Sequence, residues 1–230
     1  MYKEIREKIN RVIPAYTIIP LLCCFGVNCL IYYGVRILAA GKKHYDFTTA
    51  FDRAVPVIPE FVILYLGCYI FWVVNYILIA RQGKEYCMRF VFADIMSRLI
   101  CGVFYLFLPT TNIRPQLLGN DVWTVILKAV YATDAADNLF PSIHCLVSWF
   151  CYIGIRGRKE IPKWYRGFSC IFAILVFIST QVTKQHYIID VIGGIIIAEL
   201  TFYIAFRTNW YRPLEKVFDR ISYTILGKNA

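Results

Sequence analysis

Six runs of mostly apolar residues, near the length of roughly 17–25 residues that a helix needs to cross a bilayer, constrain the fold more than any other feature of this chain. They fall at Tyr16–Leu38, Phe61–Ala80, Val91–Pro109, Leu139–Ile155, Gly167–Thr183 and Ile188–Phe206, the fourth and fifth being short. The chain is 59% hydrophobic, whereas soluble domains stay near half apolar, about 45–50%. The pattern predicts an all-α integral membrane bundle of six transmembrane helices with interfacial amphipathic helices. Residues 1–230 then form a single membrane domain, with no length left for a separate soluble one.

A formal net charge of +10 invites a nucleic-acid reading, but the basic residues sort by loop. Lys3, Arg6, Lys8 and Arg11 precede the first run, and Arg81, Lys84 and Arg89 follow the second. Arg156, Arg158, Lys159, Lys163 and Arg166 follow the fourth, and Arg207, Arg212, Lys216, Arg220 and Lys228 follow the sixth. One side of a six-span chain thus carries 17 of the 25 Lys and Arg residues. The other side holds Lys42, Lys43, Arg53, Arg114, Lys128 and Lys184. Such an asymmetry reports orientation. It places both termini in the cytoplasm, suits a plasma (inner) membrane of bacterial type, and gives no reason to expect nucleic acid as a partner. The first run lacks a small-residue cleavage site and reads as a retained anchor. The nine cysteines are odd in number, avoid the external loops and show no metal-ligand spacing, so neither a disulfide framework nor a metal site is expected.

Shorter elements fill the gaps. Tyr2–Arg11 reads as a mixed-charge helix on the cytoplasmic surface. The external loop before the second run is broken by Pro56 and Pro59. Asp121–Ala132 is apolar on most sides and reads as an interfacial helix with Asp121 as N-cap. In the tail, residues 207–230, Leu214, Val217, Phe218, Ile221 and Ile225 recur at helical spacing behind Pro213, which predicts an amphipathic helix on the cytoplasmic face.

Two polar clusters fall on the external side. Pro141–His144 (PSIH) opens the fourth run and Lys184–Asp190 (KQHYIID) opens the sixth. His186 and Asp190 are four residues apart and share a helical face. Arg114, in NIRP, lies just beyond the third run. A lone interfacial histidine usually packs through a hydrogen bond, and a lone arginine there usually anchors headgroups. An aspartate one turn inside a span is harder to explain without function. As a set, these residues suit phosphoryl transfer. One imidazole, fixed by a carboxylate, attacks phosphorus; the other protonates the leaving alkoxide; arginine and a serine hydroxyl bind the charged oxygens. The scheme requires no metal and no cofactor.

PSIH followed by HYIID resembles two signature motifs, P-S-x-H and H-x3-D, of the type 2 phosphatidic acid phosphatase superfamily, over roughly residues 51–206. The resemblance implies a phosphatase-like core with its site on the external face. His186 would be the nucleophile, Asp190 its orienting carboxylate and His144 the acid. Ser142 and Arg114 would contact the phosphate of a lipid phosphate substrate drawn from the membrane lipids. Two cations of the family pattern are missing: its K-x6-R-P lysine falls at Phe107, and its Ser-Arg pair is Ser179–Thr180 here. Lys184 is the candidate substitute. The stretches FDRAVPVIPEF and LPTTNIRP are more similar to the inositol phosphorylceramide synthase branch, whose members move a phospho-headgroup to an alcohol instead of water. A lipid phosphatase, a lipid phosphotransferase and a non-catalytic lipid-binding or transport protein are therefore all to be weighed. No residue fixes the lipid or the oligomeric state. Two further expectations concern residues outside the motifs: Arg98 and Glu199 lie at similar depths and are expected to pair across the bundle with Asp94 nearby, and Asp134, Asp137 and Asn138 border the site, where they read as ordinary loop residues, with positioning of the PSIH turn as the alternative.

Overall fold

The computed structural model describes residue 10 and residues 12–226, so nearly all of the expected helix at Tyr2–Arg11 lies outside the described residues. Among these residues the regular elements are helices, joined by two isolated β-bridges, Tyr45 to Thr110 and Thr111 to Asp137. Helix α1 spans Ala15–Ala39 and passes through one π turn at Leu30–Gly34. Then follow the short α2, Ala50–Ala54, α3, Val62–Ala80, and α4, Lys84–Phe107. α5 is Val122–Thr133, α6 Ile143–Arg156, α7 Lys163–Val182, α8 Ile188–Arg207 and α9 Arg212–Leu226.

Local chemistry sets several boundaries. The turn from α3 to α4 closes on Gly83, whose φ of 110° is open to glycine at little cost. Asp121 caps α5, its carboxylate accepting the N–H groups of Trp123 and Thr124 at 3.0 Å each. Thr49 and Asp52 form a reciprocal capping box on α2.

Five helices, α1, α3 with its leading turn, α4, α7 and α8, are long and apolar enough to cross a membrane. The fourth apolar run is different. α6 has 14 residues, about 21 Å at 1.5 Å per residue, against a hydrocarbon core of about 30 Å. It packs against α3, α7 and α8, and ten of its residues are buried, from Ile143 to Ile155. Because protein surrounds it, its length is not set by lipid. The core lies where α4, α6 and α8 meet, around Phe90, Tyr105, Leu146, Phe150, Ile153 and Ala198. The outer faces expose Leu22, Ile70, Val103, Ile171, Ile196 and Leu200, an apolar exterior that a lipid-facing bundle requires. α9 lies across α1 and α4, burying Phe218 and leaving Val217 and Ile221 exposed.

The expected pairing of Arg98 with Glu199 does not form. Arg98 instead bonds Asp94, one turn earlier on α4, at 2.8 Å, with both side chains buried. Glu199 accepts from Arg156 of α6 at 2.7 Å and from Trp149 Nε1 at 2.9 Å. Similar depth along two helices says nothing of azimuth, and the two residues take different directions around the bundle.

Candidate active site

α3, α6 and α8 begin, and α1, α4 and α7 end, at the same end of the bundle. The opposite end carries Arg89, Arg156, Arg158 and α9. A cavity of about 370 Å³ opens at the first end, lined among others by His144, His186, Arg114, Asp134, Gln185 and Tyr65.

His186 stands in the tight turn between α7 and α8, which is fixed because the N–H groups of Gln185 and His186 both donate to the Thr180 carbonyl, at 2.9 and 3.1 Å. Its Nδ1 lies 3.1 Å from the Leu139 carbonyl and 3.5 Å from Asp190 Oδ2. Two acceptors on one side assign the proton to Nδ1 and leave the Nε2 lone pair free. Asp190 is committed elsewhere as well. Its Oδ2 accepts the Tyr187 N–H at 2.8 Å, capping α8, and its backbone carbonyl accepts the Ser142 N–H at 3.1 Å. The two signature segments are thus joined directly. Gly194 permits it: a Cβ there would sit 2.7 Å from the Ser142 carbonyl oxygen.

His144, in the first turn of α6, has its ring centroid 5.7 Å from that of His186. It stacks on Tyr65 at 4.4 Å and 25°, and Nε2 lies 3.3 Å from the Tyr69 hydroxyl. Ser142 is fully buried and caps α6 by accepting the Cys145 N–H at 3.3 Å; it is not part of the cavity lining.

Arg114 lines the cavity, yet its guanidinium is largely engaged. It donates to the Asp134 carbonyl, to Gln185 Oε1 at 2.6 Å and to the Tyr131 carbonyl at 3.4 Å, leaving Nε without a partner. Lys184 is also outside the lining. Its Nζ donates to the carbonyls of Asp52 and Val55, at 2.6 Å each, while Asp52 Oδ1 accepts the Ile188 N–H at 2.9 Å. This lysine ties the loop holding α2 to the start of α8. Burial lowers its pKa and the nearby Asp52 opposes that. Arg114 is consequently the only Lys or Arg among the described residues that line the cavity.

Sequence reasoning passes over Gln185 here, and takes Asp134 for a loop residue at the border of the site. Gln185 is buried and lines the cavity, with Nε2 unpartnered. Asp134 accepts hydroxyl protons from Tyr32 of α1 and from Tyr65 of α3 at 2.9 Å. Burial alone would raise the Asp134 carboxyl. The Tyr32 hydroxyl, His144, the Tyr65 hydroxyl and His186 outweigh it and hold the carboxyl below its ordinary range. Its partners lie 102 and 69 residues away in the chain, beyond any local spacing rule. Among the described residues, no three His, Cys, Asp or Glu side chains converge as a metal-ligand group, and all nine cysteines are free.

No curated protein and no solved structure matches the chain. A family model does, over residues 60–204, which takes in α3, α4 and the PSIH and HYIID segments that meet at the cavity. On that match, the chain belongs to the PAP2 superfamily.

Proposed function

We propose that this protein is an integral membrane enzyme that hydrolyses a lipid phosphate or diphosphate ester through a phosphohistidine on His186, without a metal. The observation that carries the proposal is the pair of acceptors on the Nδ1 side of His186, from which the tautomer is inferred. Leu139 and Asp190 occupy its Nδ1 side, so Nε2 remains to attack, with His144 beside it in the same cavity.

In this scheme the Nε2 lone pair forms a bond to phosphorus as the P–O bond to the lipid breaks. The departing alkoxide takes a proton from His144. A water then gives its proton to the now neutral His144 and attacks phosphorus, and the P–N bond breaks to release phosphate. The Arg114 charge and the unpartnered N–H groups of Arg114 and Gln185 stabilise the phosphoryl oxygens. Ser142 and Lys184 act by fixing the two loops. The basic residues at the far end support six crossings, both termini in the cytoplasm and a site facing outward from the plasma membrane.

A second reading, transfer of the phospho-headgroup to an alcohol, is favoured by one feature. Asn28 Oδ1, Asp137 Oδ1 and Asn138 Oδ1, all on residues lining the cavity, are buried acceptors without partners, suited to hydroxyl donors. The deciding experiment supplies purified protein with a panel of lipid phosphates, with and without inositol or diacylglycerol. Free phosphate as the sole phosphorus product supports hydrolysis; a new phospholipid supports transfer; no product with any substrate returns the protein to a lipid-binding or transport role. Vanadate should inhibit turnover and EDTA should not.

A further inference from the structure

We propose that Asp134 is the positioning carboxylate of His144, so that each histidine of the site has its own acid: Asp190 for His186, and Asp134, acting through Tyr65, for His144. The proposal rests on the phosphohistidine reading and adds a residue to it. Asp134 Oδ2 accepts the Tyr65 hydroxyl at 2.9 Å, and the ring of that tyrosine lies against the His144 imidazole, centroids 4.4 Å apart and planes 25° from parallel. Rotation of Tyr65 is thereby blocked at its hydroxyl end, and the imidazole is held flat against it.

Three elements hold Asp134 in turn. Tyr32 of α1 donates to Oδ1, Tyr65 of α3 donates to Oδ2, and Arg114 of the loop after α4 donates to the backbone carbonyl. A loop aspartate that merely ended α5 would not need partners from three separate elements. Asp134 also lines the cavity together with both histidines. Held through Tyr65, the His144 imidazole keeps its place beside the His186 ring while the leaving group departs. No proton passes to Asp134 in this scheme.

The test compares Asp134→Asn and Asp134→Glu with Tyr65→Phe, using two substrates. One is a lipid alkyl phosphate, whose leaving alkoxide needs a proton; the other is an activated aryl phosphate, whose leaving group does not. In single-turnover release of the leaving group, Asp134→Asn should slow the alkyl substrate by at least about tenfold, part of the ~10²–10⁴-fold that a positioned acid contributes. Release of the aryl group in the same single turnover should stay near the rate of the unchanged protein, because with that substrate His144 acts only in the later attack of water. Asp134→Glu should recover part of the loss. Tyr65→Phe, which keeps the stacked ring and removes only the hydroxyl, should show the same selectivity more weakly. Equal slowing of both single-turnover releases, or slowing of neither, would overturn the role of Asp134 and leave the phosphohistidine reading standing. An unmodified protein inactive on both substrates would overturn that reading, and this one with it.

Discussion

Asp94 and Arg98 sit one turn apart on α4, with side chains 1% and 3% exposed, and their charges are incompletely satisfied. Asp94 Oδ1 takes the Arg98 bond and the Tyr76 hydroxyl at 2.6 Å, while Asp94 Oδ2 and Arg98 Nε and Nη1 have no partner. Removing one member of such a pair strands a buried charge, at a cost of about 3–5 kcal/mol, whereas replacing both by apolar groups of similar size is often neutral. Asp94→Ala should therefore lower the thermal midpoint in detergent more than the double change of Asp94→Leu with Arg98→Met. A double variant less stable than the single would show that the pair adds net stability. At this scale legibility was uneven. The meeting of His144, His186 and Arg114 at one cavity, with Asp190 beside His186, is legible because short spacing rules connect them to one another or to a span boundary. The partner of Arg98 was misassigned because sequence yields depth along a helix without its azimuth. Lys184 stands close to His186 in sequence, but a positive φ of 54° accompanies a side chain that bonds the α2 loop and stays out of the cavity lining. The sequence places Asp134 beside the site but not its side-chain partners, which come from distant helices.

At the scale of elements, the site depends on α8 meeting the PSIH segment at backbone distance. Gly194 is the point of approach. An added Cβ would meet the Ser142 carbonyl oxygen at 2.7 Å and the Leu146 nitrogen at 3.2 Å. Backbone atoms cannot rotate away, so Gly194→Ala must push the α6 start from α8 and with it His144 from His186. Overpacking of this kind costs about 1–3 kcal/mol, and the kcat loss should exceed what that destabilisation explains. Gly26→Ala, whose Cβ would meet nothing within 4 Å, is the matched control; equal behaviour of the two variants in unfolding and turnover would remove the close approach from the account. Helix boundaries were well read where lipid length sets them, as for α1, α3 and α8. They were least clear at α6, where burial by other helices releases the constraint, and at the start of α4, which begins at Lys84, seven residues before the apolar run.

For the whole molecule, the arrangement is polar inside at one end, basic at the other and apolar around the circumference. The amphipathic helices α5 and α9 occupy the site end and the basic end respectively. Hydropathy and charge distribution suffice to read this much, because both act on entire segments. The number of crossings and the depth of the cavity depend on α6 and the loops around it, which single-segment hydropathy does not resolve. The central claim concerns the covalent step, and it is tested most directly by trapping it. Purified protein is incubated briefly with a substrate radiolabelled in its phosphate and quenched in alkali, and the labelled peptide is identified by mass spectrometry. The account predicts an acid-labile, alkali-stable phosphoryl group on the peptide containing His186, absent from His186→Ala, which should still insert and elute as the unchanged protein does but turn over no substrate. A label that is lost in alkali or survives acid, or turnover retained by His186→Ala, would contradict it.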